Sequence, residues 1–221
     1  MIKLTIDDVS LDAFRKIIFQ WFIRNGRDFP WRKTTVPYQI FIAEILLRRT
    51  QAERVVKPYL EFLNRYSTLE ALSRADVVEL RRWFQPLGLV RRADQLVDSA
   101  KCIMHKHGGL MPSSLDELLA LPGIGDYSAR AIMCMAFGKA VPMVDESSGR
   151  LLRRVLDLTP RGTAHSDREL LKIVESIIPS ERACEFNLGL LDIASAYCYV
   201  KNPDCLRCPL VKICSYSHVS S

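Results

Sequence analysis

Long apolar runs are missing from this sequence. No stretch approaches the roughly 18 apolar residues that a membrane span requires. The longest candidate, Ile17 to Ile23, is interrupted by Gln20 and followed by Arg24. The first residues, Met1-Ile2-Lys3-Leu4-Thr5-Ile6-Asp7-Asp8, lack the basic head and apolar middle of a signal peptide. No convincing alternation of period two marks a strand, and no repeat of 20–50 residues is visible. Histidine is scarce at 4 residues, none with a partner at metal-ligand spacing. The expectation is a soluble, intracellular, helical protein.

What is present narrows the class. The 221 residues are 48% hydrophobic and 25% charged. That is enough for one large domain or two small lobes with a real core, and it excludes intrinsic disorder and collagen-like fibres. Lys+Arg less Asp+Glu is 31 − 25 = +6, which fits a polyanionic partner without requiring one.

Helical periodicity dominates. Leu11, Phe14, Ile17, Ile18, Trp21 and Phe22 follow i, i+3, i+4 spacing, with Ser10 placed to cap the start and Gly26 to close the end. Further helices are predicted over 38–50, from a Ser73/Asp76 capping pattern through Phe84, and over 92–105, 114–120, 128–137, 149–156, 166–178 and 184–199. The fold class is all-α.

Three places say more than helix. Leu121-Pro122-Gly123-Ile124-Gly125 sits between two predicted helices. Two glycines two apart allow a tight turn with outward N–H groups, and these with the following helix N-terminus make an anion site suited to a DNA phosphate. Such joints also occur for packing alone. Cys198, Cys205, Cys208 and Cys214 have the spacing C-x6-C-x2-C-x5-C. Four crowded thiolates suit a tetrahedral zinc or a cubane iron–sulfur cluster, although zinc ribbons usually use two C-x2-C pairs and only one occurs here. Asp145, in Met143-Val144-Asp145, stands between an apolar run and a predicted helix, where it reads most simply as an N-cap. Cys102, Cys134 and Cys184 read as small packed hydrophobes.

Together these motifs resemble the helix–hairpin–helix DNA glycosylases with a C-terminal [4Fe-4S] loop, the endonuclease III and MutY superfamily. The resemblance covers nearly the whole chain, with the motifs in the expected order. Within it, Phe29-Pro30-Trp31-Arg32, Glu44-Ile45-Leu46-Leu47-Arg48-Arg49-Thr50, Met133 to Lys139 and Phe186 to Leu190 are similar to the archaeal-type thymine-DNA mismatch glycosylases. Adenine glycosylases share Phe-Pro-Trp and the Glu, but usually carry Gln-Gln at Arg48-Arg49 and add a reader domain. This chain stops seven residues after Cys214.

The resemblance implies two helical lobes flanking a DNA groove: residues 27–137 with the hairpin, and 1–26 plus 138–221 with the cluster loop (198–214). It implies a nucleoid-associated monomer acting on double-stranded DNA and removing thymine, and uracil, opposite guanine. Asp145 takes the place of the catalytic aspartate and Glu44 faces the flipped base. Arg48 and Arg49 are candidates to fill the vacated stack, or to contact phosphate. Gly123, Ile124 and Gly125 match the hairpin that grips DNA; Leu87 and Gly88 match a loop near the orphan strand. Tyr127 replaces the lysine of bifunctional relatives, so no Schiff base forms and the strand stays intact. Relatives commonly read Val-Asp-Ala-Asn where this chain has Val144-Asp145-Glu146-Ser147. Ser147 is left to position water or phosphate, and Glu146 adds negative charge. The cysteines imply a [4Fe-4S] cofactor. The rival readings are an adenine glycosylase and an iron–sulfur DNA-binding protein with impaired catalysis.

Overall fold

The structure is a computed structural model that describes residues 8–48 and 50–219, with side chains for 11–48 and 50–217. Among these residues the secondary structure is helical throughout, with no strand. The chain divides into two compact units. One spans Asp28–Gly138; the other joins the chain through Arg27 to the chain from Lys139 onward.

Helix α1 (Asp8–Asn25) begins before Leu11, so Ser10 lies within it rather than at its cap. Gly26 closes it by donating its N–H to Phe22 O at 2.8 Å.

The Asp28–Gly138 unit opens on a 3-10 turn (Pro30–Arg32) in which the buried Phe29 and Trp31 rings stack 4.9 Å apart. Helix α2 (Pro37–Leu47) follows, buried from Ile40 to Leu46 and packed against α3 (Ala52–Arg65) and α8 (Asp126–Phe137). A helix apolar on every side belongs inside a core. It stops at Leu47, short of the predicted Thr50, because Arg48 turns to extended backbone.

The α3 helix carries a buried stripe of Val55, Tyr59 and Phe62 despite Pro58 in its interior. An interior proline costs about 3 kcal/mol. Burial of Val55 and Phe62, at about 1.5–3 kcal/mol each, offsets it. Where one capped segment was expected, there are two helices, α4 (Leu69–Ser73) and α5 (Val77–Phe84), capped by the side chains of Thr68 and Asp76. Ser73 ends α4, its hydroxyl donating to Glu70 O at 2.7 Å. The unit is completed by α6 (Arg91–Lys106) and α7 (Leu115–Leu119), the latter capped by Ser114.

The other unit adds α9 (Glu146–Val155), α10 (Arg168–Ile177), α11 (Ala183–Tyr197) and α12 (Ser215–Val219). The predicted 166–178 helix starts two residues late, because Asp167 caps α10 after a separate 3-10 turn at Ala164–Ser166. Helix α11 packs on both α1 and α9. Its Asp192 is 1% exposed, and both its oxygens are met by Arg27: the backbone N–H at 2.9 Å and Nε at 2.6 Å. Cys134 is buried, whereas Cys102 and Cys184 are half-buried.

At Gly189 α11 lies close against α1: a Cβ there would stand 2.6 Å from Ile18 Cγ2. Ile18 is fully buried and β-branched, so it has little room to yield. Gly189→Ala is expected to destabilise the protein by about 1–3 kcal/mol through overpacking, read as a lower melting temperature in thermal denaturation.

Candidate active site

In the Asp28–Gly138 unit the segment 121–125 joins α7 to α8. Gly123 has φ +80°, and a Cβ there would fall 2.9 Å from Gln95 Oε1 and 3.0 Å from Gln95 Cβ, so glycine is required on two counts. Gly125 is different. Its φ is −106° and the nearest foreign atom to an added Cβ is an Arg48 nitrogen at 4.0 Å, so the turn itself would accept alanine. Ile124 departs from the expected outward amide: its N–H bonds Leu121 O at 3.2 Å and its side chain is buried. Two side chains brace the turn. Ser99 donates to Pro122 O at 2.6 Å, and Arg48 donates to Gly123 O at 2.5 Å.

Among the described residues the amides of Gly123 and Gly125 donate to no protein group. Gly125 is also the N-cap of α8 and offers no capping side chain. Unsatisfied N–H groups at the positive end of a 12-residue helix form an anion site.

Glu44 is 5% exposed, the one charged residue in α2. Burial pushes its carboxyl up to about 8, against the opposing effects of a hydrogen bond with Ser128 and the nearby Arg48 charge. It therefore carries a proton at neutral pH. Ser128 sits in the first turn of α8, so Glu44 touches the helix that the hairpin introduces, and Arg48 touches the hairpin itself. Tyr127, also in that first turn, is half-buried. Arg49 lies outside the described residues. Leu87 is half-buried, and Gly88 (φ +69°) is exposed at the end of a 3-10 turn, Gln85–Leu87.

In the other unit Asp145 caps α9, and it uses one oxygen to do so. Oδ1 accepts from Ser147 N at 3.0 Å, Ser148 N at 2.7 Å and Ser148 Oγ at 2.8 Å. The Ser148 hydroxyl in turn accepts the Asp145 N–H at 3.0 Å, completing a capping box. Among the described residues Oδ2 makes no hydrogen bond, and the side chain is half-exposed. The approach to Asp145 is fixed from behind. Asn187 of α11, fully buried, accepts from Met143 N at 3.1 Å and donates to Val141 O at 2.9 Å. Ser147 contributes its backbone amide; its hydroxyl has no partner among the described residues. Ser128, Ser148 and Asn187 were not singled out from the sequence. The Asp-x-x-Ser spacing at 145–148 is the signal that would have revealed Ser148.

The far end of α9 reaches the cysteines. Arg150 Nε donates to Cys198 O at 2.7 Å; Arg154 donates to Tyr199 O at 2.7 Å and Val200 O at 3.2 Å, and approaches Cys198 Sγ at 3.3 Å. Cys198, Cys205, Cys208 and Cys214 line a single cavity, closed by Leu151, Tyr197 and Val211. Among the described residues no three His, Cys, Asp or Glu side chains converge as ligands of one ion would. Four thiols lining one cavity are a donor set that suits a tetrahedral ion or a polynuclear cluster. Burial raises Cys208 to about 11 and raises Cys205 as well, with the neighbouring thiols adding to both. Cys205 and Cys208 therefore lose their protons most readily beside a positive centre. The residues fit a four-iron cluster, with Arg154 beside it to balance charge.

The profile of the HhH-GPD superfamily base excision DNA repair proteins matches residues 42–177. The chain is 38% identical over 218 residues to a thymine-DNA glycosylase of Aeropyrum pernix, covering 96% of this chain and 98% of that protein. It is 36% identical over 205 residues to a thymine/uracil-DNA glycosylase of Methanothermobacter thermautotrophicus, covering 92% and 93%. The solved structure of a thermostable thymine-DNA glycosylase superposes with a TM-score of 0.87 at 34% identity, over 95% of this chain and 97% of that one.

Glu44 also sets a pH dependence of stability. Unfolded, it releases its proton near 4.5; folded, it keeps it to about 8. The folded state thus binds more protons between those values, and stability falls as pH rises from about 4.5 to 8, by up to about 1.4 kcal/mol per pH unit. Glu44→Gln removes that slope. Thermal melts at pH 5, 7 and 9 are expected to show the variant gaining on the parent as pH rises.

Proposed function

The chain belongs to the HhH-GPD superfamily of base excision DNA repair proteins, and on that footing we propose that it is a monofunctional glycosylase that removes thymine, and uracil, paired with guanine. The names of its relatives support the substrate class. The observation that carries the chemistry is the division of labour at Asp145, with Oδ1 held by three donors and Oδ2 left open.

A base inside a duplex must be flipped out before it is cut, and a mismatched pair opens at lower cost than a matched one. The amides of Gly123 and Gly125 and the N-terminus of α8 bind backbone phosphate. Breaking the N-glycosidic bond then builds positive charge on the sugar. An oriented carboxylate stabilises that charge and directs water to C1′. Asp145 does this through Oδ2. Glu44, protonated at neutral pH, donates a hydrogen bond to the polar edge of the base and assists its departure. Arg48 is hydrogen-bonded to the hairpin carbonyl, a position from which its guanidinium supports the turn; its second role is to stack in the vacated helix. Tyr127 has a phenol where imine formation needs an amine, so the product is an intact strand with an abasic site.

Cys198, Cys205, Cys208 and Cys214 hold a [4Fe-4S] cluster. When bound, it supplies a rigid, charged tie between the C-terminal loop and the rest of its unit rather than a step of the reaction. The exposed Lys201, Arg207 and Lys212 on that loop are available to phosphates. Purified protein is expected to contain about four irons and four sulfides per chain, and Cys205→Ala to lose them, as read by iron and sulfide assay.

An end-labelled duplex with one central G·T pair, incubated with the protein, is expected to break at the thymine only after heating in alkali. Asp145→Asn should abolish that product while still retarding the duplex in a gel. Cleavage before alkali would refute the monofunctional reading. Release of adenine instead of thymine would move the protein to the adenine-specific branch.

A further inference from the structure

The first turn of α9 holds Asp145, and a separate element holds that turn. Glu146, the first residue of α9, accepts the Ala164 backbone N–H on Oε1 at 2.8 Å, and the same oxygen lies 3.7 Å from His165 Nδ1. Ala164 and His165 belong to the 3-10 turn that precedes α10. That turn is seated directly on the helix: Ala164 is fully buried, and a Cβ on Gly149 would stand 2.3 Å from Ala164 Cβ. Its flanks are fastened further along α9, where Arg153 donates to Gly162 O at 3.1 Å and to Asp167 Oδ2 at 2.7 Å.

We propose that Glu146 is a positioning residue: its carboxylate latches the Ala164–Ser166 turn onto the first turn of α9 and so keeps the Ser147 and Ser148 amides aimed at Asp145 Oδ1. Helix ends fray because their N–H groups lack partners within the helix. The Ser147 hydroxyl braces nothing among the described residues, which leaves Glu146 as the side chain that ties this turn outward. The placement also accounts for an acidic residue one position from a DNA-facing carboxylate. Oε1 accepts the Ala164 amide, with the His165 imidazole 3.7 Å away. The latch rests on the reading of Asp145 given above. It is local, because Arg153 and Gly149 hold the same turn independently, so its loss leaves the fold in place.

The test compares Glu146→Ala with Glu146→Gln, which keeps an oxygen acceptor for the Ala164 N–H. Three quantities are read: the single-turnover rate of thymine release from a G·T duplex with enzyme in excess, the Kd for that duplex, and amide hydrogen exchange at Ala164. Glu146→Ala is expected to lower the rate about tenfold, to leave Kd unchanged or tighter as negative charge is removed, and to speed exchange at Ala164 with little change in melting temperature. Glu146→Gln is expected to restore most of the rate and of the protection. An unchanged rate in Glu146→Ala overturns the proposal, whether or not Ala164 exchanges faster. Equal loss in both variants also overturns it, since charge rather than the latch would then be responsible. Asp145→Asn is run beside them; thymine release by that variant would sink the reading of Asp145 itself, whatever Glu146 does.

Discussion

Three hydrogen bonds to one carboxylate oxygen hold the head of α9, and much of the second unit is arranged around that helix. Asp145 Oδ1 gathers two amides and a hydroxyl, which starts the helix cleanly and leaves the second oxygen without a partner among the described residues. A cap of this kind contributes about 1 kcal/mol to stability. Its larger effect is geometric, since a carboxylate bonded on one side cannot rotate. The rest of α9 carries that fixed point to its neighbours. Gly149 admits Ala164, Arg153 pairs with the buried Asp167, and Arg150 and Arg154 take the carbonyls that follow α11. The cap occupies Oδ1 alone, so it does not compete with the role proposed for Asp145.

The Asp28–Gly138 unit is organised by a different constraint, the burial of an acid in a helix that is otherwise apolar on every side. Glu44 gives up its charge because water is excluded from α2, and one serine hydrogen bond with a nearby arginine does not reverse that. The neutral carboxyl has a donor to offer, which an ionised one does not. The two acids thus sit in opposite settings: one half-exposed and surrounded by donors, the other enclosed and protonated. The same helix ends in Arg48, whose bond to Gly123 O joins the buried acid to the turn whose Gly123 and Gly125 amides have no protein acceptor among the described residues.

The helical class, the hairpin and the grouping of the four cysteines at one cavity were readable along the chain, because each rests on local chemistry: a 3.6-residue period, a glycine pair, a crowded cysteine spacing. The misses have local causes as well. Helix α3 is absent from the predicted helices, although Val55, Tyr59 and Phe62 mark its buried stripe. Ser73 and Asp76 looked like one capping pair and belong to two helices. Of the two hairpin glycines, equal in sequence, only Gly123 is demanded by its backbone and by Gln95; the neighbour that decides this lies 28 residues away in the chain.

The sequence by itself determined the family, through the order and spacing of its motifs, and it nominated Asp145, Glu44 and the four cysteines by residue type. Only the tertiary structure decided what those residues can do. Which Asp145 oxygen is free depends on where Ser147 and Ser148 fall around a helix turn. Whether Glu44 holds a proton depends on how completely α3, α8 and their neighbours exclude water. Whether four cysteines face one cavity depends on arginines from another helix that hold their loop. Residue type sets the available chemistry; the solvent and the partners around each atom, which long-range packing alone supplies, select the part of it that is used.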